Sequence, residues 1–121
     1  MFSKILVHLV VVGQNPSNNE YSIGLSKEGD DYFTLSKECD GEDPALLACF
    51  LADYFIKAPP DWYSIRKQSF IAHGDKLRLI YTVTIPNNIK LKNADWLSVG
   101  QISQSNISED DRDVIIEGLK L

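Results

Sequence analysis

The sequence has little cysteine and no net positive charge. It also has no long apolar run, no glycine-rich phosphate loop and no internal repeat. Each absence removes a class of function. Two cysteines, Cys39 and Cys49, lie too far apart to form a zinc knuckle or a redox pair. Cys49 is expected as a small buried hydrophobe within a helix, and Cys39 as an inert thiol in an acidic loop. A net charge of −5 disfavours nonspecific binding to nucleic acid or to an anionic membrane. No apolar stretch approaches the ~18 residues of a membrane span. Ile5–Val12 is apolar apart from His8, but it lacks the flanks of a signal peptide, so a cytoplasmic location is expected. No serine stands in a nucleophile-elbow sequence.

What is present suggests a single α+β domain of 121 residues. Ile5–Val12 (ILVHLVVV) has the β-branched, nearly continuous pattern of a strand buried on both faces. Tyr21–Ser26 alternates, and Tyr32–Leu35 reads as a short third strand. From Gly41 to Pro60 a helix is marked at both ends. Asp43 suits the N-cap and Pro44 the first helical position, while Pro59-Pro60 stop it. This helix is apolar nearly all round, which means burial on both sides or cover by something else. Tyr63–Ala72 and Lys76–Ile85 read as a hairpin around His73-Gly74-Asp75. Its second arm should turn Leu77, Leu79, Tyr81, Val83 and Ile85 inward and Lys76, Arg78, Thr82 and Thr84 outward. Asn93–Ile102 reads as a strand and a turn. Ser108 then caps a last amphipathic helix, with Asp111 placed to reach back to the cap.

Three stretches carry a resemblance. Gly41-Glu42-Asp43-Pro44 with the helix after it resembles the loop and helix of the Nudix box. The hairpin over 63–85 resembles the strands that follow the box, and Ala94-Asp95-Trp96-Leu97 resembles the family's late acidic-tryptophan segment. The resemblance implies a Nudix-like mixed sheet sandwiched between helices, spanning residues 1–121 as one domain. It also implies that the box should supply an arginine and a glutamate, then a pair of glutamates on the next turn, with the glutamates binding magnesium. In this register those positions are Phe50, Leu51, Tyr54 and Phe55, none an oxygen donor of the kind a hard cation needs. No metal or cofactor is therefore expected.

The expectation is a noncatalytic binding module, acting through the apolar helix face on a protein partner or a second copy. Charge segregates in its support: Lys57–Lys92 carries seven basic and two acidic residues, and the rest five basic and fifteen acidic. The candidate site is accordingly Phe50, Leu51, Tyr54 and Phe55 with Arg66 and Arg78 beside them. An acidic partner surface or a small anionic ligand suits that composition. The alternative is a diverged hydrolase of nucleoside diphosphate-like substrates, with carboxylates drawn from Glu38, Asp40, Glu42 or Asp95. His8 is expected buried and hydrogen-bonded, and His73 solvated, since neither has an evident catalytic partner.

Overall fold

In chain order the elements are β1 (Lys4–Gln14), β2 (Tyr21–Glu28), β3 (Asp31–Phe33), β4 (Leu35–Cys39) and α1 (Pro44–Phe55). There follow β5 (Ile65–His73), β6 (Lys76–Pro86), β7 (Ala94–Ser98), α2 (Val99–Gln104), β8 (Asn106–Ile107) and α3 (Glu109–Leu119). They are seen in a computed structural model that describes residues 2–18, 20–59, 61 and 63–120.

The apolar run of β1 makes it the central strand. It pairs in parallel with β6 along its whole length, from Lys4↔Lys76 to Gln14↔Pro86. Its other edge is shared, antiparallel, by β4 at the start and β2 at the end. Among the described residues one mixed sheet of eight strands results, in the order β5-β6-β1-β2-β3-β8, with β4 on β1 and β7 on β2. Because successive side chains of a strand point to opposite faces, the sequence parity of β1 divides the core into two layers. Val7, Leu9 and Val11 pack under α1 with Leu35, Tyr81, Val83 and Ile85. Val10 and Val12 pack under α3 with Ile23, Leu25, Ile80, Val114 and Ile115.

The start of α1 is as its sequence dictates. The Asp43 carboxylate accepts a hydrogen bond from the Ala45 N–H at 3.0 Å, and Pro44 opens the helix. Its end comes earlier than the prolines require. The Ile56 N–H reaches the Ala52 carbonyl at 2.8 Å, and Ile56 then forms a bridge to Leu91. Tertiary pairing with the segment after β6 captures the chain before Pro59 can act. Pro60, and Trp62 beyond it, lie outside the described residues.

Trp96 of β7 closes the α1 side near the end of β1. Its indole N–H donates to the Ile89 carbonyl at 2.9 Å, and its ring rests on Gly13. A Cβ on Gly13 would come within 2.5 Å of that ring, so the close approach requires glycine.

Several expectations are corrected. The residues after β7 form a helix, α2, opened by a Ser98/Gln101 capping box and tied at its end by Arg112, which donates to the carbonyls of Ile102, Ser105 and Ile107. Thr82 does not point to solvent: it lies buried on the face that α3 covers, beside the fully buried Ile80. Cys49 is exposed, because α1 has core on one side only. Asp111 does not reach back to its cap. Ser108 accepts from the Asp111 N–H at 3.1 Å, while the Asp111 carboxylate turns inward.

That inward turn completes a buried polar chain on the α3 face. Arg78 is a permanent donor, so His8 Nε2 accepts from it, at 3.1 Å. His8 Nδ1–H must then donate to Thr34 Oγ1 at 2.9 Å, and the Thr34 hydroxyl donates to Asp111 Oδ1 at 2.6 Å. The chain links β1, β6, the β3–β4 junction and α3, and it is satisfied at every member. Burial first, and the Arg78 charge second, lower the His8 pKa to about 4, with the Asp111 and Asp110 carboxylates opposing. His8 is therefore a neutral, structural histidine at pH 7, and His73 is exposed at the hairpin tip.

Candidate binding surface on the first helix

At 100° per residue, the residues of α1 divide into two arcs. Leu47, Ala48, Leu51 and Ala52 are buried against the sheet, with Phe55 half-buried at their edge. Leu46, Phe50 and Tyr54, spaced one turn apart, remain 66%, 53% and 45% exposed. The broad apolar side expected from the sequence is thus cut along its length. Its inner half is core and its outer half is a stripe open to solvent.

Two lysines sit on that stripe. Lys37 Nζ lies 5.0 Å from the centre of the Phe50 ring, and Lys92 Nζ lies 4.5 Å from that of Tyr54. Backbone geometry places both. Lys37 pairs with Val7 in the β1–β4 ladder, so its side chain leaves the sheet on the α1 side. Lys92 is brought in because its N–H donates to the Phe55 carbonyl at 2.8 Å. Cation–π contacts of this kind hold the rings and the ammonium groups in one arrangement. Tyr54 also meets the Phe55 ring edge-on, with centres 4.8 Å apart. Beside the stripe, Cys49, Asp53, Tyr63 and Ile65 line a cleft of about 250 Å³. There the Tyr63 hydroxyl donates to Asp53 at 3.3 Å, and its pKa is raised by burial and by that carboxylate.

The six candidate residues do not form one site. Phe50 and Tyr54 lie on the outer stripe. Phe55 supports Tyr54 from its half-buried place at the core, and Leu51, 4% exposed, is core and cannot meet a partner. Arg66 and Arg78 are on the opposite face of the sheet, for a reason of parity. Arg66 pairs with Thr82, which shares with Arg78 and Ile80 the face beneath α3. Arg78 is committed to His8 and, at 3.3 Å, to Asp110. The cations that accompany the aromatic stripe are instead Lys37 and Lys92. A third strand that stops at Leu35, as the sequence pattern suggests, leaves Lys37 in a loop; the strand β4 instead runs to Cys39. A continued alternation through Leu35-Ser36-Lys37-Glu38-Cys39 was the available signal.

The carboxylates of the hydrolase alternative are dispersed. Glu38 follows Lys37 in β4 and so points away from α1, while Asp95 precedes Trp96 in β7 and likewise points away from it. Asp40 and Glu42 close a local turn in which the Asp40 N–H donates to Glu42 at 2.7 Å. Among the described residues no three His, Cys, Asp or Glu side chains gather as a metal-binding group. The donor set does not fit the magnesium that the Nudix resemblance implies.

No protein-family model matches the chain, and no curated protein sequence matches it. Solved structures do. The Nudix domain of Shewanella oneidensis NrtR, complexed with ADP ribose, superposes with a TM-score of 0.69 at 12% identity, over 93% of this chain and 84% of that one. The C-terminal domain of mouse MUTYH, in complex with human PCNA, gives 0.70 at 13%, over 95% and 86%. A C. elegans Ap4A hydrolase in a binary complex gives 0.66 at 11%, over 94% and 93%. The fold is that of a Nudix domain. The mixed sheet between helices, expected from element order, is what the Nudix fold provides here. At such identities the likeness extends to the fold alone, so the role of α1 rests on its own residues. No helix among those described is long and apolar enough to cross a membrane.

Proposed function

We propose that this Nudix-fold domain is a binding module that docks a protein partner on the outer stripe of α1. The observation that carries the reading is the row Leu46, Phe50 and Tyr54, exposed at one-turn spacing and held by lysines resting on its two aromatic rings. Rigid aromatic anchors with cations alongside suit a partner that brings an apolar ridge and acidic neighbours. With roughly 100 Å² of exposed area on each side chain, covering all three is worth about 7.5 kcal/mol at ~25 cal/mol per Å². Association itself costs about 4–15 kcal/mol. The stripe therefore serves as the centre of a larger interface rather than the whole of it. The C-terminal domain of MUTYH, similar in fold and seen in complex with PCNA, supports the reading to the extent that such a fold can carry a protein contact.

A photo-crosslinking amino acid at position 50 identifies the partner, and binding is then measured with both proteins purified. Phe50→Asp and Tyr54→Asp are expected to weaken binding at least tenfold. Ile116→Asp, at an exposed apolar residue on α3 across the sheet, is expected to leave it unchanged. Equal binding by all three variants would sink the proposal, and a crosslink to a second copy would redirect it to self-association. The alternative, a diverged hydrolase, draws support from the Ap4A hydrolase neighbour. Turnover of a nucleoside diphosphate panel that is lost in Glu42→Gln would establish it over the binding reading.

A further inference from the structure

On the face of the sheet opposite the stripe, α3 does not cover the whole surface. Gly118 lets the helix end lie directly on Val10, where a Cβ would meet Val10 Cγ2 at 2.7 Å, and the helix stops one residue later. Beyond it a groove of about 330 Å³ opens between the end of α3, the start of α2 and strands β1, β2, β5 and β6. Its volume is in the range of small-molecule sites, about 300–1,000 Å³.

The lining has an orderly chemistry. Tyr21, Val99 and Leu119, all exposed, form apolar walls around a floor that includes Thr82 and Thr84. Arg66 stands at the rim, opposite Thr82 in the β5–β6 ladder, and among the described residues no carboxylate is within ion-pair distance of it. The other rim cation, Lys120, is already engaged by Glu117 at 2.5 Å. One uncommitted guanidinium suits a monoanion better than a dianion, and its planar donor fork matches a carboxylate. The Tyr21 ring offers a stacking face, and the threonine hydroxyls can donate or accept.

We infer that this groove binds a small aromatic carboxylate, its ring against Tyr21 and its carboxylate on Arg66. The groove lies across the sheet from the α1 stripe, so the two sites stand or fall separately.

The test follows backbone amide resonances as indole-3-acetate is added, with indole-3-acetamide as the uncharged probe of the same shape. Saturable shifts are expected at Tyr21, Thr82, Thr84 and Gly118, with affinity at least tenfold lower for the amide. Arg66→Gln should bring the carboxylate down to the level of the amide, and Tyr21→Ala should weaken both probes. Arg66 and Tyr21 are exposed, so unchanged spectra of the free variants confirm that the fold is intact. The inference is overturned if the carboxylate gives no saturable shifts at millimolar concentration, if its shifts lie outside the groove, or if the amide binds equally well.

Discussion

His8 makes the stability of this domain depend on pH in a window where few other groups act. The imidazole is 2% exposed, accepts from Arg78 and donates to Thr34, and its pKa falls from an ordinary 6.5 to about 4. Between those values the unfolded chain holds a proton on this residue that the folded chain does not. Stability therefore rises with pH: the contribution is complete above 6.5 and is lost as pH falls through 4. At 1.36 kcal/mol per pH unit the gap corresponds to roughly 3 kcal/mol, a large part of the stability of a small domain. The chemical cause is specific. Burial of the ring is the larger cause, and a proton on His8 Nε2 would in addition face the Arg78 guanidinium, which has only donors to offer.

Urea unfolding at about pH 7.5 and about pH 4.5 measures the effect, and most of the 3 kcal/mol should appear between them. Two exposed carboxylates also contribute in this direction. The Asp75 pKa is lowered by the Ser3 hydroxyl, and that of Glu117 by Lys120 and Ser69, so both lose stabilising interactions as pH falls. His8→Gln separates the histidine from them: it keeps hydrogen-bonding capacity but cannot titrate. Its loss between the two pH values should be smaller than that of the wild type by roughly 2–3 kcal/mol. Should His8→Gln fail to fold, the ring resonances of wild-type His8 give the same answer, staying neutral to below pH 5 or so. A His8 that titrates near its ordinary value, or a variant with an undiminished pH response, refutes the reasoning.

Other substitutions separate core from surface. Leu51→Ala should cost about 2–5 kcal/mol in urea unfolding, whereas Phe50→Ala, one position away on the same helix, should stay within about 0.5 kcal/mol. Comparable losses at both positions would mean that the outer stripe is not free. Gly118→Ala should cost about 1–3 kcal/mol, because its Cβ meets Val10 Cβ at 2.9 Å as well as Cγ2, and the helix end must lift from the sheet. Faster amide exchange confined to the end of α3 is the expected sign, and unchanged exchange there would count against that packing.

Local signals were legible in the sequence where one residue type has one physical use. Asp43-Pro44 opened α1 where expected, Ser108 capped α3, and the positive φ of Gly74 turned the β5–β6 hairpin. The unbroken run of β1 announced a strand covered on both faces. What parity alone does not reveal is which side each neighbouring element covers. Arg66 and Arg78 were therefore placed beside the aromatic helix face, when the ladder turns both toward α3. Cys49 was assigned to the core for a similar reason, since a helix apolar all round gives no sign of which arc stays dry. The start of α2 does carry a local signal: Ser98-x-x-Gln101 is a capping box, and the six residues of the helix follow at once. The Nudix fold itself was legible because element order survives where side chains have diverged.

The two long helices, on opposite faces of one sheet, give the comparison that bears most on function. The outer arc of α3 carries Glu109, Asp110 and Asp113, with Ile116 and, at the helix end, Leu119 as exposed apolar residues. Water accounts for such an arc. The outer arc of α1 carries Ala45, Leu46, Cys49, Phe50 and Tyr54, with Asp53 its only charge. Hydration does not account for that one, and no described element of the chain covers it. Isolated exposed apolar residues are ordinary on a protein surface, but a row of three at one-turn spacing is a contiguous face. Lys37 and Lys92 shield two of its rings only in part. Polar residues of the kind α3 carries on its outer arc would cost α1 nothing in packing, since none of the three stripe residues belongs to the core. Leu46, Phe50 and Tyr54 stand together at positions that packing leaves free to be polar, and that is the physical reason to seek a partner there.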